Sequence, residues 1–151
     1  MTKIIVDTNI VFSALLNTNS RIGQILINGK HYYDFYSPEY VKFEIFNHKK
    51  KIKSIGKLTE DEFIEIYGLI LRNIIILNHT IIPTEIYKNA ETLCQDIDVD
   101  DTVFVAVSNF INGDLWTGDM KLFNGLKNAG YKHLIKTDEL HRDFLLRERR
   151  K

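Results

Sequence analysis

The stretch Ile4-Ile5-Val6-Asp7-Thr8-Asn9 decides how the chain is to be read. Three apolar β-branched residues run directly into a carboxylate and two small polar side chains. The apolar part has the character of a strand buried on both faces. Asp7 then stands where that strand ends and the chain turns into a helix carrying Ile10, Phe12, Ala14, Leu15 and Leu16. In open α/β sheets, ligands gather outside the carboxyl ends of strands. An acid at that position is either a cap or turn residue or part of a site.

Outward from this stretch the pattern alternates. Ser20 is placed to cap a second helix with Ile22, Ile25 and Leu26 on its apolar face, and Asn28-Gly29 ends it. The aromatic run Tyr32 to Tyr36 reads as a second strand, core rather than a stacking platform. Ser37-Pro38 has the form of a serine N-cap with proline at the first helical position. A helix is expected from there, carrying Val41, Glu44, Ile45 and His48 and running into Lys49-Lys50-Lys51-Ile52-Lys53, with a short loop over 54–57. Thr59-Glu60-Asp61-Glu62 has capping-box spacing ahead of the stripe Phe63, Ile66, Tyr67, Ile70 and Leu71. Ile74 to Leu77 reads as a short strand, and Pro83-Thr84 opens a helix to about Leu93 or Cys94. The run Asp96-Ile97-Asp98-Val99-Asp100-Asp101 then sets four acids ahead of an apolar helix that ends at Asn112-Gly113. Leu115-Trp116-Thr117 reads as a buried strand with Gly118-Asp119 turning out of it. The next helix carries Leu122, Phe123, Leu126 and Ala129 and closes at Gly130. His133 to Lys136 is a last strand, and Thr137 is expected to cap a final helix that gives way to a flexible basic tail over about 142–151.

Strands alternating with helices imply an α/β fold with a central parallel sheet covered on both faces. Right-handed crossovers then bring the strand carboxyl ends to one edge. A length of 151 residues suits one domain, 1–151. Twenty basic residues balance twenty acidic ones, so overall charge does not itself point to nucleic acid. The single cysteine, Cys94, excludes an internal disulfide or a cysteine-based zinc site and reads as a small core residue. The sequence has neither a basic-then-apolar leader nor the roughly 20 apolar residues of a membrane span. A cytoplasmic protein with no membrane association is expected.

Asp7 and Asp119 both leave strands at the common edge. Asp98 and Asp101 lie three apart, on one side of a helix start, and Glu44 lies on the helix after the second strand. Each has an ordinary explanation alone: a turn, a complement to a helix dipole, a solvated glutamate. Their coincidence on one edge is what needs explaining. Carboxylates gathered within a few ångströms repel, and one must take up a proton unless a cation is present. Oxygen ligands alone select Mg²⁺ or Mn²⁺. A cation held at an open edge can activate water and stabilise charge on a phosphodiester. No histidine or cysteine cluster competes for the role.

These segments together resemble the PIN domain. The strand acid in Ile4 to Asn9, the helix glutamate between Ser37-Pro38 and Glu44, the segment Asp98 to Ala106, and Leu115-Trp116-Thr117-Gly118-Asp119 stand in the family's order over nearly the whole chain. The resemblance implies a three-layer α/β/α sandwich and a metal-dependent nuclease, usually acting on RNA. It implies frequent homodimerisation and, for many small members, a toxin's role beside an antitoxin protein. Carried across, Asp7, Glu44, Asp101 and Asp119 match the acidic catalytic cluster, with Asp7, Asp98, Asp101 and Asp119 as metal ligands. Asn9 and Thr117 match supporting polar residues. Where the family's helix often carries two adjacent acids, Phe43 takes the first position.

Lys49, Lys50, Lys51 and Lys53 follow Glu44 closely and could neutralise RNA phosphates. The expected function is a Mg²⁺- or Mn²⁺-dependent ribonuclease, the toxin of a toxin–antitoxin pair. Two alternatives use the same residues differently. One is an inactive PIN fold serving as scaffold or RNA-binding module. The other is a phosphatase of the haloacid dehalogenase type, which needs a second aspartate where this chain has Asn9.

Overall fold

The computed structural model describes residues 1–150. Among them, five strands form one all-parallel sheet: β1 (Thr2–Val6), β2 (Tyr33–Pro38), β3 (Ile74–Leu77), β4 (Asp114–Trp116) and β5 (Leu134–Ile135). The spatial order is β3-β2-β1-β4-β5. β1 is central, with Ile5 opposite Tyr36 of β2 on one side and Leu115 of β4 on the other. Ile4, Ile5 and Val6 are fully buried, as a strand covered on both faces requires. Ile4 and Val6 enter one core and Ile5 the other, which is the two-residue period of a strand.

Each face carries helices, giving three α/β/α layers. On the Ile4 face pack α1 (Thr8–Leu16), α2 (Arg21–Asn28), α3 (Tyr40–Asn47), α4 (Lys49–Gly56), α5 (Glu60–Leu71) and α9 (Thr137–Arg149). On the Ile5 face pack α6 (Thr84–Cys94), α7 (Thr102–Ile111) and α8 (Met120–Asn128). Thr102 through Ser108 of α7 are all buried, so this helix is apolar nearly all round because it is covered nearly all round. Its end is made locally. Asn112 takes a left-handed conformation with φ 57°, and the Gly113 amide donates to Ser108 O at 3.1 Å. Cys94 is buried in this second core, and burial pushes its thiol up to about 11.

Five local expectations are corrected. Ser37-Pro38 does not start a helix. Both residues belong to β2, Pro38 sits opposite Leu77 of β3, and the Ser37 hydroxyl donates to Val6 O at 2.8 Å; α3 begins at Tyr40. The lysine segment is not a continuation of that helix, because His48 breaks it. Residues 54–56, expected as loop, are the last turn of α4, which is anchored by fully buried Ile52 and closed by Lys57 at φ 53°. Thr137 is not a cap either. It is the first residue of α9, and its hydroxyl accepts from Trp116 Nε1 at 3.0 Å. The segment read as a basic tail is helical through Arg149, with Arg147 paired to Asp143 at 2.7 Å; Lys151 lies outside the described residues. The Thr59 capping box forms as expected, with the Glu62 amide donating to Thr59 Oγ1 and Glu62 accepting from the Thr59 amide.

Gly113 enters β4 where no side chain fits. A Cβ there would meet Ile5 Cδ1 at 2.7 Å and Lys3 O at 2.9 Å. Gly113→Ala should therefore destabilise the fold by about 1–3 kcal/mol, the usual cost of overpacking. Urea denaturation of the two proteins side by side measures it; equal midpoints would contradict this packing of β1 on β4.

Candidate active site

The direction of winding reverses between β1 and β4. From β1 the chain builds outward through β2 and β3, then returns through α6 and α7 to lay down β4 and β5 on the other side. This is the switch point at which α/β sheets open a crevice beyond their strand ends. Asp7 follows β1 and Thr117, Gly118 and Asp119 follow β4, so both chains contribute to that crevice. The Asp7 amide donates to Trp116 O at 3.2 Å, carrying the pairing one residue past the strand.

Asp7 is only 4% exposed. Its Oδ1 accepts from the Thr8 amide at 2.7 Å and its Oδ2 from Thr117 Oγ1 at 2.6 Å. It is the N-cap of α1, yet it reaches only the first amide of that helix. Burial pushes its carboxyl up to about 6, against the two hydrogen bonds; the charges of Glu44 and Asp119 add to the rise. Asp101 is driven further, to about 7. Burial is again the main cause, followed by the charges of Asp7, Asp98, Asp119 and Glu44. Among the described residues its carboxylate accepts no hydrogen bond that would offset burial and these charges. Glu44 is raised by burial, offset by a hydrogen bond from the Thr8 hydroxyl, and raised again by Asp100. Asp119 caps α8, accepting from the Lys121 and Leu122 amides at 3.0 and 3.2 Å.

Asp7, Glu44, Asp101 and Asp119 thus line one cleft of about 240 Å³, with Thr8, Asn9, Phe12, His48 and Lys51. The supporting residues lie where the turn is held. Thr117 links the two strand ends, donating to Asp7 and accepting the Asp119 amide at 3.0 Å; Asn9 Oδ1 accepts from the Gly118 amide at 3.2 Å. Asp98 is apart. It is exposed, outside the cleft lining, and accepts from the Asp100 amide at 2.9 Å. Of the four lysines, Lys51 lines the cleft. Lys49 and Lys53 both pair with Glu60, the latter at 2.6 Å, and Lys50 is exposed.

Three contributors were not singled out in the sequence. Thr8 holds Asp7 through its amide and Glu44 through its hydroxyl. Ser37 holds the carbonyl just before Asp7. His48 lines the cleft from the break between α3 and α4. Thr8 could have been suspected from its place beside Asp7. The other two depend on packing between distant elements.

A model of the PIN domain matches residues 5–144. The chain belongs to the PIN-domain family. Among solved structures, VapBC2 from Rickettsia felis bound to a DNA fragment from their promoter is similar at 16% identity and a TM-score of 0.67, over 89% of this chain and 98% of that one. A toxin–antitoxin complex from Klebsiella pneumoniae is similar at 18% identity and a TM-score of 0.59, over 89% of this chain and 97% of that one. At such identities the likeness is one of fold. No curated protein matches the sequence. Among the described residues of this PIN domain, no helix is long and apolar enough to cross a membrane.

The donor set of the cleft fits a hard divalent cation in its chemistry: four carboxylates with hydroxyl and amide support, and no thiolate. Among the described residues, no three of the acids already converge closely enough to hold an ion. Like charges in one cleft repel, so closing the set calls for a counter-charge.

A stability prediction follows from the directions of these shifts. Carboxyls raised in the folded state bind more protons folded than unfolded, so stability falls as pH rises from the ordinary carboxylate range toward the folded values of about 6 and 7. Glu60, Glu62 and Asp143, which are lowered, act only below that window. Metal-free protein should lose stability between about pH 5 and pH 7.5, and excess Mg²⁺ or Mn²⁺ should flatten the slope. Denaturant titrations at several pH values, with chelator and with metal, measure this. A stability that rises with pH in chelator would contradict the electrostatics described.

Proposed function

We propose that this PIN domain is a divalent-metal-dependent ribonuclease, the toxin of a toxin–antitoxin pair. One observation carries the reading: a nearly fully buried carboxylate, Asp7, at the switch point of the sheet, with Asp101, Glu44 and Asp119 lining the same cleft. In this reading Asp7, Asp101 and Asp119 hold Mg²⁺ or Mn²⁺ with help from Glu44, and Asp98 contributes from the rim. When bound, the cation supplies Lewis acidity toward a phosphodiester and acidifies water at neutral pH. The chain's own residues do the rest. Thr117 and Thr8 hold Asp7 and Glu44 with their oxygens directed to the cleft. Asn9 fixes the Gly118 turn that carries Asp119. Lys51 and His48 set hydrogen-bond donors at the edge where a phosphate would lie, while Glu60 takes Lys49 and Lys53.

The two solved toxin–antitoxin assemblies support an antitoxin protein as partner. The same reading takes residues 1–151 as one domain that works as a homodimer in the cytoplasm. An inactive scaffold is disfavoured because a full set of acids is retained at a cost in stability. A haloacid dehalogenase-type phosphatase is disfavoured by family membership and by Asn9, whose carbonyl is committed to the Gly118 amide.

Asp7→Asn separates function from folding. The rise of Asp7 from 3.8 to about 6 withholds roughly 3 kcal/mol of folding free energy above pH 6. The variant should therefore be at least as stable as wild type at neutral pH, while metal-dependent cleavage of single-stranded RNA falls by at least about 100-fold. Undiminished cleavage by a folded Asp7→Asn protein would sink the mechanism.

A further inference from the structure

A second cavity draws on two of the segments that build the acidic cleft, α3 and the turn before α7. It measures about 270 Å³ and is lined by Tyr40, His79, Tyr87, Val99, Asp100 and Val103. Four separate segments build it: the start of α3, the turn at 79–81, α6, and the turn that leads into α7. Two of its residues are tied to the cleft by local geometry. Tyr40 lies one helical turn before Glu44 on α3, hence on the same face. Asp100 immediately precedes Asp101. The carboxylates of Glu44, Asp100 and Asp101 all act on the Tyr40 phenol, behind burial as the main cause of its raised pKa.

The chemistry of the walls is specific. Two phenol rings and an imidazole surround the space, and Phe43 stacks on Tyr40 with ring centroids 6.0 Å apart and planes at 22°. Phe43 is itself 61% exposed, so the aromatic surface continues outward from the cavity. Among the described residues, the side-chain polar atoms of Tyr40, Tyr87, His79 and Asp100 make no hydrogen bond. The lining holds a carboxylate and no ammonium or guanidinium group, which disfavours a phosphate. A flat, uncharged heterocycle with N–H donors on its edge suits it. Nucleobases of single-stranded RNA are held in this way, stacked on aromatic side chains and hydrogen-bonded on their edges. Asp100 is an acceptor for an exocyclic amino group.

We infer that this cavity is a nucleobase subsite, taking the base of one nucleotide of single-stranded RNA beside the phosphodiester held at the acidic cleft. The inference rests on the ribonuclease reading and adds to it a defined contact to a base. Tyr87 and His79 are its test positions because neither lines the acidic cleft.

The experiment walks one abasic nucleotide through a short labelled single-stranded RNA. Affinity is read by fluorescence anisotropy with Ca²⁺ in place of Mg²⁺, and cleavage is read separately with Mn²⁺. For wild type, one abasic position next to the cleavage site should weaken binding roughly 5- to 150-fold, the range for losing one stacked base. Tyr87→Ala should bind the intact RNA weaker by a similar factor and lose sensitivity to that abasic position; Tyr87→Phe should restore both. Because Tyr87 also packs against the core under α6, His79→Ala, on an exposed turn, is the second variant, and it should reduce the same sensitivity. If wild type binds and cleaves RNA but no single abasic position matters, or the variants keep its pattern, the subsite is overturned, the nuclease reading stands, and the cavity is left to a protein side chain. If wild type neither binds nor cleaves RNA, the nuclease reading falls and the subsite with it.

Discussion

A carboxylate at the end of the central strand is the constraint on which the site depends. Asp7 follows three residues that are fully buried, so its backbone position is set by the core rather than by solvent. Its charge is then confined where burial opposes ionisation, held by two hydrogen bonds that do not cancel the cost. Nothing in the core benefits from this. An asparagine or threonine would cap α1 at lower cost. A positive charge at the cleft would offset this penalty, to which the charges of Glu44 and Asp119 add.

The fold turns this demand into a site by topology. β1 and β4 lie side by side but are separated by more than a hundred residues of chain, and their carboxyl ends open the same crevice. Thr117 spans the gap with a hydrogen bond to Asp7, and Asn9 does so with the Gly118 amide. The two strand ends therefore hold each other's functional groups in register. α3 brings Glu44 over the crevice and α7 brings Asp101 from the opposite face, so both helical layers meet at the acids. The cavity proposed for a nucleobase uses α3 and the turn leading into α7, at Tyr40 and Asp100.

Much of this was legible in the sequence because the decisive signals are local. Hydrophobic continuity marks β1 and α7, the Thr59 box marks α5, and an acid after each of two apolar strands marks the crevice. The misreadings share a cause. At Ser37 a serine that would cap a helix instead donates to Val6 O, thirty-one residues away, and Pro38 is kept extended beside β3. At Thr137 the hydroxyl accepts from Trp116 rather than turning back to its own helix. Residues 54–56 look like loop by composition, but burial of Ile52 draws them into α4. The lysine cluster divides in a way no spacing reveals, since Glu60 of the next helix takes Lys49 and Lys53 and leaves Lys51 at the cleft. In each case a partner distant in sequence outbids a local preference.

The central claim is that these carboxylates form one cation site, and Mn²⁺ binding followed by electron paramagnetic resonance tests it most directly. Wild type should remove Mn²⁺ from the free signal with saturable binding, and Mg²⁺ should displace it. Asp101→Asn and Asp119→Asn, confirmed to be folded, should each weaken that binding at least about tenfold. Wild-type protein that leaves the Mn²⁺ signal unchanged, or variants that bind as tightly as wild type, would contradict the account.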